Sequence, residues 1–256
     1  VNTGTAETTS KGEMFMYGMY GYGYGYGFDP TIILVLIGVA LSLWAQGRVN
    51  STFSRYSRVR SMTGMTGAEA ARRLLNAQGI YDVTVQPIAG ELTDHYDPRT
   101  KTVNLSQSVY GATSVAAIGV AAHECGHAMQ DNEGYAPLRF RSALVPAANF
   151  GSKLSWPLIL LGLVFGGLGS PLVEIGILMF SLAVLFQLVT LPVEYNASAR
   201  AVRLLDSQGI LAGEEVSGTR KVLNAAALTY VAAAATSILQ LLRLIILFGG
   251  RNRRDN

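Results

Sequence analysis

The sequence predicts a mainly α integral membrane protein, with transmembrane helices plus a small α+β domain in which a β-hairpin precedes a metal-binding helix. Three observations carry that prediction. Half of the 256 residues are hydrophobic and only 14% are charged, with a mean hydropathy of +0.30, which is too apolar for an ordinary soluble domain. The apolar residues gather in runs of about twenty, the length that crosses a hydrocarbon core of about 30 Å. One further apolar stretch, rich in small residues, carries the sequence His123-Glu124-Cys125-Gly126-His127.

Taken in order, residues 1–27 are polar and then alternate Tyr with Gly. Such a segment has no face to bury and is expected to form a flexible or interfacial tail. The chain starts with Val, and Met14 is an alternative start; no small-residue cleavage site follows the first apolar run, so no removable leader is expected. Residues 28–47 form the first span, bounded by Asp29-Pro30 and by Trp44. Arg48, Arg55, Arg58 and Arg60 follow at once, so the positive-inside rule places the next domain in the cytoplasm.

That domain, 48–141, opens with the capping box Thr66-Gly-Ala-Glu69, which predicts a helix through Gln78 stopped by Gly79. Tyr81 to Gln86 alternates as a strand does, and Glu91 to Leu105 reads as strand, Asp97-Pro98 turn, strand. The free edge of such a hairpin can hold an extended peptide, or the sheet can simply cover the motif helix. The motif helix itself is expected from Ser114 to Met129, followed by a polar connection from Asp131 to Arg141. A transmembrane hairpin (147–191) comes next, turning at Gly169-Ser170-Pro171. In the segment 192–221, a helix opened by Pro192 and closed by Gly209 leads into a polar loop from Asp206 to Thr219. The last segment, 222–256, is a helix from Val222 to Phe248 and a basic tail. Arg243 at mid-bilayer would cost about 2.5 to 3.5 kcal/mol, so two placements of this helix stay open: spanning the membrane, or lying half in the cytoplasmic domain and half along the membrane surface, which avoids that cost.

Two histidines four apart on a helix project from one face and can reach one metal ion. Glu124, beside them, can act as base for a water at the open coordination position, the pattern of a zinc hydrolase. Three ionisable groups in an otherwise apolar helix are costly unless paired or bound to metal. Cys125 is the single cysteine; it excludes an internal disulfide and reads as an apolar spacer. For a third ligand the chain offers His95, Glu133, Glu194 and Glu214-Glu215. Glu133 is too near along the chain, the paired glutamates sit in a polar loop, and His95 belongs to turn-forming sequence. Glu194 leaves the membrane beside the motif helix, with Ser198 one turn later to orient a histidine ring.

Several long stretches resemble the YugP-type bacterial membrane zinc metallopeptidases, distant allies of the HtpX-type proteases. They are Tyr-Ser-Arg-Val-Arg-Ser (56–61), Gly-Met-Thr-Gly-Ala-Glu (64–69), Asp-His-Tyr-Asp-Pro-Arg-Thr-Lys-Thr-Val (94–103), the motif itself (121–128) and Leu-Pro-Val-Glu-Tyr-Asn-Ala-Ser (191–198). The resemblance implies a zincin-like metalloprotease domain of the gluzincin kind, one Zn²⁺ per chain held by His123, His127 and Glu194, and Glu124 as general base. The HtpX-type relatives carry Asp where this chain has Ser198. His95, Tyr195 and Tyr230 are candidates to steady the transition state, and Asp94 and Tyr96 to contact substrate. The expected partners are a polypeptide substrate, membrane proteins among the options, and the lipid bilayer of the plasma membrane, with the site facing the cytoplasm.

Other classes fit less well. A structural-zinc scaffold or pseudoprotease needs no Glu124. A transporter needs polar groups along its path, yet Lys153, Glu174 and Gln187 are the notable polar side chains of the predicted hairpin, too few for a path. Nucleic-acid binding finds no support, because the basic residues sit at membrane edges, where topology and anionic lipid account for them.

Overall fold

The computed structural model describes residues 29–167 and 170–249. The Tyr/Gly-rich tail, Leu168 and Gly169 at the tip of the expected 147–191 hairpin, and the basic C-terminal tail lie outside the described residues.

Among the described residues there are seven helices and one small sheet: α1 (Ile32–Tyr56), α2 (Gly67–Ala77), β1 (Thr84–Ile88), β2 (His95–Asp97), β3 (Thr102–Ser106), α3 (Gln107–Tyr110), α4 (Val115–Asn132), α5 (Ala136–Gly166), α6 (Pro171–Ser207) and α7 (Glu214–Phe248). Four of them, α1, α5, α6 and α7, are long and apolar enough to cross a membrane. Each packs mainly on the next in the order α5, α6, α7, α1. The motif helix α4 packs mainly on α6 and α7 and touches α1 and α5 as well, and the sheet and the shorter helices α2 and α3 pack on it.

Local sequence explains the small domain. Thr66 and Glu69 make the reciprocal capping box that starts α2, and Gly79, in the left-handed region at φ 69°, ends it. The sheet has the order β1-β3-β2. β1 runs parallel to β3, pairing Val85 with Val103, and β2 returns antiparallel, pairing Tyr96 with Val103. The hairpin is thus present, and β2 is its free edge.

Ser114 caps the motif helix α4 by accepting a bond from Ala117 N–H. α4 is enclosed almost all round, as its continuous apolar sequence requires. Its small residues let neighbouring backbones close in. A Cβ on Gly126 would stand 2.6 Å from the Ala197 carbonyl oxygen of α6, and one on Gly119 would stand 2.8 Å from Thr219 of α7. The first contact sets how near α4 and α6 can come, and the second how near α4 and α7 can. Ala121, Ala122, Cys125 and Ala128 of α4 pack with Ala201 and Leu205 of α6 in one core, along with Leu74 and Leu75 of α2.

Four boundaries differ from expectation. α1 does not stop at Gly47 but continues through Arg48 and Arg55 to Tyr56, since arginine is a good helix former and only the surroundings change there. The expected polar connection after the motif shrinks to residues 133–135, and α5 begins at Ala136 with Pro137 in its first turn, where a missing N–H costs nothing. Pro192 does not open a helix: α6 runs unbroken from Pro171 to Ser207. Prolines inside membrane helices are tolerated because neighbouring helices and hydroxyl side chains satisfy the freed backbone groups. Pro146 and Pro157 sit inside α5 in the same way.

The fourth difference is α7, which starts at Glu214, so that most of the expected polar loop is helical, and which continues unbroken to Phe248. It runs antiparallel along α1: Gly218 meets Tyr56, Thr236 donates to the Gly38 carbonyl at 3.1 Å, and Arg243 reaches Asp29 at 2.9 Å and Thr31 at 3.2 Å. Arg243 is therefore level with the start of α1, with its charge paired, rather than midway along a span. The mid-bilayer penalty does not arise.

Candidate metal centre

Three side chains from α4 and α6 converge on one point. His123 Nε2 lies 3.2 Å from Glu194 Oε2 and 3.2 Å from His127 Nε2, and His127 Nε2 lies 3.5 Å from Glu194 Oε2. Ligands at 2.0 to 2.2 Å around a tetrahedral ion stand about 3.3 to 3.6 Å apart by simple geometry. The triangle matches one face of such a site. Together these are a group of donors able to hold a metal ion.

The far side of each imidazole is also held. His127 Nδ1 lies 3.0 Å from Gln130 Oε1. Gln130 in turn donates its amide N–H groups to the Val193 carbonyl and to Asn196 Oδ1, both at 2.9 Å. Because the Val193 carbonyl only accepts, the amide orientation of Gln130 is fixed, and its oxygen must receive the proton on His127 Nδ1. Nε2 is then left with its lone pair aimed at the other two donors. His123 Nδ1 meets Ser198 Oγ at 3.1 Å, one turn beyond Glu194. Lone pairs converging in this way repel one another, and a cation among them removes the repulsion.

Glu124 is buried and does not join the triangle. Its Oε2 accepts a 2.9 Å bond from the backbone N–H of Tyr96 on the free edge of β2. The Tyr96 hydroxyl and Lys101 both reach Asp131, each at 2.8 Å, tying the hairpin to the end of α4. Burial first, then the bond to Asp131, pushes the Tyr96 phenol above its ordinary pKa and keeps it protonated. Burial opposes a charge on His127, but Glu194, Glu124 and Gln130 together outweigh it and raise its pKa.

Two cavities meet at this centre. One of about 280 Å³ runs toward α1 and α7 and is largely apolar, lined by Val49, Phe53, Val222 and Ala226 beside His123, Glu124 and Glu194. The other, of about 490 Å³, runs along β2 from Asp94 to Arg99 and is closed by Arg141 and Val145 of α5. Tyr230 lines both.

The remaining expected residues fall as follows. His95 lines the polar cavity, with Nδ1 at 2.9 Å from the Thr93 carbonyl and Nε2 at 3.3 Å from the Asn104 amide, so both nitrogens serve the hairpin. Asp94 lines both cavities, yet its carboxylate accepts bonds from Ser106 N–H and Oγ. Its burial raises its pKa even so. Tyr195 is exposed and points into a different cleft, between α1 and α7. Cys125 is fully buried, its Sγ directed at the Ala71 carbonyl of α2; burial and the nearby Glu124 push its thiol pKa up. Glu215 takes the Met62 N–H, and Glu133 pairs with Arg200 at 2.6 Å.

Sequence reasoning missed Gln130 and Arg141. Gln130 is wholly buried, and its signal was a lone amide three residues past the second histidine. Arg141 approaches Glu194 Oε1 at 3.8 Å while its buried Nε has no partner. It was legible only as an arginine at the edge of an apolar run.

Replacing Gln130 with Leu removes the acceptor for His127 Nδ1 and leaves the N–H buried, which costs about 1 to 3 kcal/mol. Loss of such an orienting partner also weakens metal binding about 10- to 100-fold. A lowered melting temperature together with a rightward zinc titration is the expected result, read by thermal denaturation and a competing chromophoric chelator.

A family model described as "Putative neutral zinc metallopeptidase" matches residues 31–249. A protein of Bacillus subtilis (strain 168) named "Putative membrane protease YugP" is 49% identical over 224 residues, covering 88% of this chain and 98% of that protein. No solved structure matches.

Proposed function

Since the chain belongs to this family of neutral zinc metallopeptidases, a membrane protein by its relative and its four apolar helices, we propose that it is a zinc endopeptidase working at the cytoplasmic face of the plasma membrane. The observation that carries the reading is the triangle of His123, His127 and Glu194 with Glu124 held beside it.

A zinc ion at the triangle would lower the pKa of water to about 7 and polarise a carbonyl. The chain's own residues supply the rest. Glu124, anchored through Oε2 to the Tyr96 N–H, takes the proton of the attacking water and returns it to the leaving amine. An extended substrate lies in the polar cavity that β2 borders, beside the Tyr96 N–H that holds Glu124. Arg141 and Tyr230, facing that cavity, donate to the carbonyl oxygen as it gains charge. Ser198 and Gln130 hold the imidazoles. The arginines that follow the apolar part of α1 support the cytoplasmic orientation.

The test is to purify the full chain in detergent, measure its zinc, and follow cleavage of an unfolded protein before and after chelation. The expected result is about one zinc per chain, with cleavage lost on chelation and restored by zinc. Zinc without cleavage would favour a scaffold role, and absence of zinc would overturn the reading.

A further inference from the structure

On the opposite side of α7 from the apolar cavity lies a cleft of about 690 Å³ between α1, α6 and α7. Its lining includes three cations, Arg48 and Arg55 from α1 and Lys221 from α7, together with Ser51, Thr52 and Asn224, and no carboxylate. Among the described residues none of the three cations is in an ion pair. Three like charges facing one cleft repel one another, and an anion that sits among them relieves the repulsion.

The height of the cleft identifies the anion. α1 and α7 are antiparallel with matched rise, since Thr31 meets Arg243 and Gly38 meets Thr236. Arg55 and Lys221 are thus nearly level, and Arg48 lies about 10 Å nearer the membrane at the helical rise. Trp44, exposed one turn before Arg48 on the same face, marks the interface between apolar core and headgroups. By the same register Ala225 is nearly level with Arg48, and Leu228 lies about 3 Å further toward the membrane than Arg48. Cations and hydroxyl and amide donors that reach down to Arg48, beside Leu228 and the exposed Trp44 at the interface, fit an amphiphile that carries a phosphate on acyl chains.

We propose that this cleft binds the headgroup of an anionic phospholipid. Tyr195, next in the chain to Glu194, lines it, so the bound lipid braces α6 against α7 directly behind the metal centre. The proposal stands on the cleft alone and does not depend on the protease reading.

The experiment is quenching of Trp44 in the full chain carrying W156F, placed in nanodiscs of phosphatidylcholine that contain a small fraction of acyl-brominated phosphatidylglycerol or, in parallel, acyl-brominated phosphatidylcholine. Several-fold stronger quenching by the brominated anionic lipid is expected. The variant R48Q/R55Q/K221Q should equalise the two, whereas the charge-preserving R48K/R55K should keep the preference, with melting temperatures showing that both are folded. Equal quenching in the wild type, or a preference that survives in the neutral variant, would overturn the proposal. So would a preference abolished by inorganic phosphate at constant ionic strength, which would mark a site for the free ion.

Discussion

Glu124→Gln is expected to lower kcat/KM for peptide cleavage by about 10²- to 10⁴-fold, the range of a lost general base, while zinc content and melting temperature stay near wild type. The geometry makes this a clean substitution. One carboxylate oxygen of Glu124 already serves the Tyr96 N–H at 2.9 Å, and a glutamine can keep its carbonyl oxygen there. What it cannot do is accept a proton on the other atom. Glu124 is no member of the donor triangle, so metal binding should be unaffected. Retained cleavage in the variant would assign the proton transfer elsewhere, with Asp94 as the next carboxylate in reach of both cavities.

Glu194→Gln should be more damaging and differ in kind, because it removes the metal rather than the base. Glu194 brings the only carboxylate oxygen to the triangle, and Arg141 stands 3.8 Å from its other oxygen. With a neutral amide in its place, that guanidinium repels an incoming cation without compensation. Zinc should be lost on dialysis and cleavage should fall below detection. Linkage gives a second reading. Zinc at about 100 times its Kd stabilises the wild type by about 2.7 kcal/mol, so its melting temperature rises with added metal, whereas that of the variant should not move. A variant that keeps zinc would exclude Glu194 as a ligand.

The parts of this molecule legible in the sequence are those fixed by short-range patterns. The α2 capping box, the hairpin around Asp97-Pro98 and the α4 motif depend on neighbours within a few residues, and each lies where spacing put it. Glu194 and Ser198 could be named because a helical hairpin returns the chain to its starting side. Where expectation failed, a residue's meaning came from a distant partner. Arg243 is costly alone and ordinary beside Asp29, 214 positions earlier. Pro192 breaks an isolated helix, yet lies within the unbroken α6, which packs between α5 and α7. Gln130 looks like one polar residue among several until α6 supplies Val193 and Asn196. Hydropathy windows see none of these pairings, which span 63 to 214 residues.

The two halves of the candidate metal centre are separated in the chain by the long helical hairpin of α5 and α6, Glu194 coming 71 positions after His123. A ribosome therefore delivers His123 and His127 well before Glu194 exists, and the intervening apolar segments must enter the bilayer before the last donor can return to the first two. On the proposed function, the nascent chain would carry an incomplete centre until Glu194 joins His123 and His127. On the same reading, chains that fail to insert are expected to leave the centre unassembled, so that activity would be confined to molecules that have already reached the membrane.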